Sequence, residues 1–196
     1  MAGYSVQEIV KAMPGLLYTA AAAQSSLGTT SDIVSNILTG FKLEATETVR
    51  VADVLTATFT SSNTTLEMLG DTMKYVAPVA AALGVSLGEV AAMTGRLGDA
   101  GIQGQQAGTS LRAIFTRLAS PTGEAARILG ELGIQTTDAA GNLLPMIDII
   151  RQIEERTASM GSAQRTAVLT TLVGMEAVSA FTKLLDIGAD NIAAYT

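Results

Sequence analysis

The 196-residue sequence contains no cysteine, no histidine and no tryptophan, and aromatic residues make up only 4% of it. Without cysteine there is no disulfide framework, and without cysteine or histidine no thiolate or imidazole metal site. The missing histidine removes the commonest general base and every Ser-His or Cys-His nucleophile pair. Basic residues are also scarce, 12 against 18 acidic ones, for a net charge of −6. A general nucleic-acid binder would show a basic face instead. The densest basic group (Arg96, Arg112, Arg117, Arg127) is interrupted by Asp99 and Glu124. Long hydrophobic runs are missing too. The apolar stretch 16–23 follows Glu8, a single Lys11 and a Pro14-Gly15 break, a poor match to a signal peptide. Residues 76–85 contain Pro78 and Gly84, and no run approaches the ~18 residues of a membrane span.

What the chain does have is small apolar residues. Hydrophobic residues reach 48%, much of it alanine, a composition that suits close helix-on-helix packing better than a β-sandwich. The positive mean hydropathy, +0.37, is spread along the chain and points to apolar faces that meet partners. The organising stretch is LGDAGIQGQQAGTSLRAIFTRLASP, residues 97–121, in which four glycines (Gly98, Gly101, Gly104, Gly108) precede an amphipathic helix. Leu111, Ile114, Phe115 and Leu118 form one helical stripe there.

Helix starts and stops punctuate the rest. GYSVQEIV (3–10) and GVSLGEVA (84–91) both carry a serine three residues before a glutamate, the spacing of a capping box: Ser5 with Glu8, Ser86 with Glu89. Thr64 with Glu67 is a third. The echo is compatible equally with an old duplication and with the general likeness of helix starts. Helices are expected over 6–13, resuming over 16–24 after Pro14-Gly15, then over 33–38, ended by Gly40. Further helices follow over 45–59, 66–83 with a kink at Pro78, 87–97, from 107 onward, and after Ser120-Pro121. The last ones cover 145–156, 162–172 and 176–187. The segment 134–144 breaks the pattern with a β-like start, a polar turn and two leucines, and is expected to form a small β-hairpin. The fold class is therefore all-α, a multi-helix bundle with glycine-rich turns and one small hairpin near 134–144. Its parts are an N-terminal helical part, 1–65, and a helical core, 66–196, with one continuous domain as the alternative.

The candidates for chemistry are thin. Thr39 and Lys42 have the spacing of a nucleophile–lysine pair but the wrong residue type. Glu154 and Glu155 diverge by about 100° on a helix and read as solvated charges. Asp138 to Asn142 lacks the acidic ligands of a calcium loop and reads as a turn. The glycines at 101, 104 and 108 precede a helix, yet no P-loop lysine and no strand accompany them. The methionines (Met68, Met73, Met93, Met146, Met160, Met175) read as core filler. No catalytic, cofactor-binding or metal-binding residue is assigned, no cofactor is implied, and the chain is not expected to be an enzyme.

Three blocks together carry a family resemblance: KYVAPVAAALGVSLGEVAAMTGRLGDAGIQGQQAGTSLRAIFTRLASPTGEA (74–125), GIQTTDAAGNLLPMIDII (133–150) and VGMEAVSAF (173–181). In content, order and spacing they resemble the core region of phage tail tape measure proteins. The resemblance covers most of the chain from about Ala52 onward; the first 30 residues match less clearly. It implies a structural role in the virion's tail lumen, after assembly in the host cytoplasm. There a long helical protein sets tube length and later helps genome passage through the envelope. It implies partners among tail tube and other tail proteins and tail assembly chaperones, with self-association and host membrane contact, and no specific nucleic-acid site. The family's core region has no known catalytic residues to carry over. A wholly helical, extended chain of this size would span only ~300 Å, and the glycine and proline breaks favour a compact bundle. The expectation is thus an excised core domain or truncated prophage product. The alternative function is a membrane-active helical module inserting in the host envelope during genome entry.

Overall fold

The computed structural model describes residues 6–195. Among them are eleven α-helices and one 3₁₀ turn, and no strand. In chain order these are α1 (Val6–Ala23), α2 (Leu27–Phe41), the 3₁₀ turn (Ala45–Glu47), α3 (Thr48–Thr60) and α4 (Leu66–Leu83). Then come α5 (Leu87–Asp99), α6 (Gly104–Ala119), α7 (Gly123–Leu132) and α8 (Met146–Thr157). The chain closes with α9 (Ser162–Val173), α10 (Val178–Ile187) and α11 (Ala189–Ala193).

Helix α4 occupies the middle of the bundle, with α2 on one side and α6 on the other, while α1 packs on α3 and α3 on α5. The inward stripe of α4 is Leu69, Met73, Val76 and Ala80, as its periodicity requires. Small residues let the helices approach closely. A Cβ on Gly40 of α2 would lie 2.8 Å from the Ala77 Cβ of α4. This is why Gly40 sits inside α2 and does not end it: it marks a crossing, and Lys42, with φ 56°, ends the helix. One core of buried apolar residues runs from Ala12 to Ile192.

Several boundaries differ from those the sequence suggests. Pro14 does not divide α1, which is helical throughout. Packing on α3 holds the two halves together, with Ala12, Gly15, Leu16, Thr19 and Ala20 buried, and the Thr19 hydroxyl 3.1 Å from that of Thr56. Helix α2 starts at Leu27, ahead of the expected 33, because Ser26 is its N-cap, accepting from the Thr29 N–H. For α4 the cap is Thr65, one residue past the expected Thr64, and the Glu67 carboxylate instead accepts from the Ser25 hydroxyl at 2.8 Å. The Ser86–Glu89 box is present at the start of α5; the Ser5–Glu8 box lies outside the described residues. Ser120 closes α6, and α7 begins after Thr122.

The hairpin expected at 134–144 does not form. A single antiparallel bridge joins Thr137 and Leu143. Two backbone bonds cross the turn, from the Asp138 N–H to the Asn142 carbonyl and from the Leu144 N–H to the Thr136 carbonyl, both 2.9 Å. The pairing stops there because the next donor in register, the Met146 N–H, goes to Glu89 and opens α8. On its other edge Gln135 is held by the Gln152 side chain of α8, at 2.9 and 3.0 Å.

Candidate functional site

Residues 97–121 are the centre of the molecule's architecture, and their glycines do two different jobs. Gly101 and Gly104 have φ of 79° and 54°, left-handed conformations that favour glycine and turn the chain from α5 into α6. Gly98 and Gly108 instead let backbone meet backbone. A Cβ on Gly108 would stand 2.6 Å from the Thr72 carbonyl oxygen of α4, and one on Gly98 3.1 Å from the Asn63 carbonyl oxygen. At the α4–α6 crossing the buried Thr72 hydroxyl donates to the Gly104 carbonyl at 2.9 Å. Below it Leu111, Ile114, Phe115 and Leu118 are fully buried, the stripe expected from their spacing.

Side chains of the same turn grip the α3–α4 connection. The Asp99 carboxylate accepts from the Asn63 N–H at 2.7 Å, and the Gln103 amide donates to the Asn63 carbonyl. Arg96 donates to the Ser61 carbonyl at 3.2 Å, pairs with Asp99 at 3.0 Å, and lies 3.7 Å from the centre of the Tyr195 ring. That cation–π contact joins the end of the described chain to α5. Tyr195 and Arg96 also border an apolar cleft of about 100 Å³ between α3 and α5, well below the ~300 Å³ at which small-molecule pockets begin.

The residues considered for chemistry take structural places. The Thr39 hydroxyl donates to the Ser35 carbonyl, and Lys42 ends α2. Asp138 accepts from the N–H groups of Ala140 and Asn142 and from the Asn142 amide, which holds its carboxyl below the usual range. Arg117 pairs with Glu176, and Arg127 with Glu124 and Glu131. Met73, Met93 and Met146 are buried, whereas Met175 is exposed at the α9–α10 corner. Among the described residues no acidic side chains gather in a group of three able to hold a metal ion.

Glu154 is not merely a solvated charge: it accepts from the Ala189 N–H at 2.9 Å and so caps α11. Glu89 likewise has a second role beyond its own helix. One carboxylate oxygen completes the α5 box, and the other accepts from the Met146 N–H at 3.1 Å, starting α8. The box is legible in sequence; its reach across 57 positions is not.

The arrangement is that of a packed structural domain whose polar groups serve helix ends and turns, and among the described residues no acidic cluster able to hold a metal ion accompanies them. Comparison with known sequences agrees. A sequence model of the family described as "Phage-related minor tail protein" matches residues 1–174, and the chain belongs to that family. It is 39% identical over 191 residues to the "Tape measure protein" of Pneumococcus phage Dp-1, a match covering 97% of this chain and 17% of that protein. It is 35% identical over 186 residues to the "Probable tape measure protein" of Escherichia phage P2, covering 94% of this chain and 23% of that one. The likeness thus reaches the first helices as well as the blocks from 74 onward. The chain spans under a quarter of the length of these relatives. No solved structure matches it significantly.

Proposed function

We propose that this chain is the folded core unit of a tail tape measure protein, acting in tail tube assembly and length determination and later in genome delivery. The observation that supports it most is the likeness to two tape measure proteins along nearly the whole chain. In this reading residues 66–196 are the tape-measure core and 1–65 its N-terminal helical part. Tail tube and other tail proteins and tail assembly chaperones are its partners. It works in the host cytoplasm during assembly and in the tail lumen of the virion. The fold adds a division of labour. The longest helices, α1 and α4, have 18 residues, about 27 Å of rise, and each packs side by side with neighbours, α1 with α3 and α4 with α2 and α6. Such a body is a poor ruler, so length is set by other segments of a longer protein and this unit organises an assembly point.

In a phage carrying this chain, in-frame deletion of 66–196 is expected to abolish tails or their uniform length under electron microscopy. Normal tails of unchanged length would refute the proposal. Membrane activity is the weaker reading. Among the described residues no single helix is long and apolar enough to cross a membrane; only the pair α9 and α10, bent by 116°, passes such a test together. Their apolar side chains, Leu169, Leu172, Phe181 and Leu184 among them, lie in the core. Vesicle-leakage measurements are expected to show none, and dye release would revive that reading.

A further inference from the structure

Helix α1 is apolar on both sides. Its inner face is buried against α3 and α2. Its outer face presents Val6, Val10, Pro14, Leu17, Tyr18 and Ala21, all exposed. Steps of four, four, three and four residues from Val6 to Ala21 make one continuous helical stripe. Exposure reaches 77% at Val6, 65% at Val10, 50% at Leu17 and 78% at Tyr18. These four are half of the large hydrophobics that are exposed among the described residues, gathered on one helix. A soluble surface helix ordinarily turns charge outward here, so the pattern marks an interaction face.

We propose that the outer face of α1 binds the same face of a second copy of this chain. Three observations select that occupant. First, the chain carries a net charge of −6, yet no charged side chain lies within the stripe, Lys11 standing at its margin. Two copies therefore meet here without apposing like charges. An anionic lipid surface would instead meet an acidic chain with one nearby lysine, where electrostatic attachment calls for a cluster of several. Second, the i, i+4 row of one helix fits the groove of an identical row at the crossing angle commonest between helices. A two-fold axis then lets each residue serve both sides. Third, the stripe is about 22 Å long. Pairing two of them removes on the order of 1,000 Å² from water, the lower end of specific interfaces. An interface at that end of the range fits a reversible dimer rather than an obligate one.

The test is sedimentation velocity on the full chain from about 1 µM to about 1 mM. A concentration-dependent dimer is expected. V10E and Y18E, placed on an exposed face, should weaken it at least tenfold while leaving the thermal midpoint unchanged. Because the chain has no cysteine, V10C and L17C give a second readout independent of the glutamate variants' folding. Under mild oxidation one of them, or their mixture, should form a disulfide-linked dimer, and S159C, on the distant α8–α9 connection, should not. A monomer at every concentration, a dimer indifferent to V10E and Y18E, equal cross-linking by S159C, or vesicle binding through α1 without dimerisation would each overturn the proposal.

Discussion

Glycine is the residue whose meaning the structure refines most, and its roles separate by what a methyl group would meet. At Gly108 a Cβ strikes the Thr72 backbone oxygen at 2.6 Å and the Tyr75 Cβ at 3.0 Å. Gly108→Ala is therefore expected to destabilise by about 1–3 kcal/mol through overpacking, and Gly108→Val by more. Gly101 has open space around it but φ of 79°, so Gly101→Ala should cost about 1–2 kcal/mol from backbone strain alone. Gly101→Asn should recover most of that loss, because asparagine tolerates the left-handed region. Gly130, in α7, has neither constraint; Gly130→Ala should stabilise by about 0.5–1 kcal/mol. Urea unfolding of the set checks all three. An unchanged midpoint for G101V, the harshest turn substitution, would refute the assignment of that turn.

At the scale of elements, three helix starts (α2, α4 and α5) are held by their own caps and two (α8 and α11) by distant side chains. Helix α8 begins at Pro145 with no side-chain cap of its own, and the missing acceptor comes from Glu89 of α5. Ser86→Ala removes one cap bond and is expected to cost ~1 kcal/mol. Glu89→Ala removes the reciprocal bond and also orphans the part-buried Met146 N–H, a further ~1–3 kcal/mol. E89A should thus unfold at lower urea than S86A, with the excess reporting α8. Native-state hydrogen exchange should locate faster opening at the start of α8 in E89A and not in S86A. Equal loss in the two variants would mean that the contact between α5 and α8 contributes nothing.

Across the whole molecule, charge serves local geometry and sets the pH response. Four carboxyls are held below their ordinary range: Glu67 by the Ser25 hydroxyl, Glu124 by Arg127, Asp138 by the Asn142 amide, and Glu176 by its own backbone N–H and then Arg117. A lowered folded pKa adds stability above the unfolded value that is lost as pH falls through the folded one. With no histidine, thermal stability should be flat between roughly pH 6 and 8 and decline below about pH 4. All four groups are largely exposed, so the decline should be shallow. Thermal melts across that range check it, and a step near neutrality would contradict it. The Arg96–Tyr195 contact closes the far end of the chain onto α5; Tyr195→Ala should loosen α11 while leaving the α4–α6 crossing intact.

The sequence by itself determined the all-α class, the central stripe of α6 and the Ser86–Glu89 box. Each depends on residues within one or two turns of each other, so local periodicity and capping chemistry suffice. The blocks from 74 to 181 likewise carry the resemblance to the tape measure family in their residues alone. Only the tertiary structure decided the rest. Pro14 and Gly40 look like breaks, and contacts with α3 and α4 absorb them into helices. Residues 134–144 look like a hairpin, and the pairing ends after one bridge because Glu89 takes the Met146 N–H that would continue it. In the stretch 97–121, Gly98 and Gly108 are indistinguishable in sequence from the turn glycines Gly101 and Gly104. Which of them is a turn and which a crossing depends on Asn63 and Thr72, more than thirty residues away, and distance in space is what a local pattern does not encode.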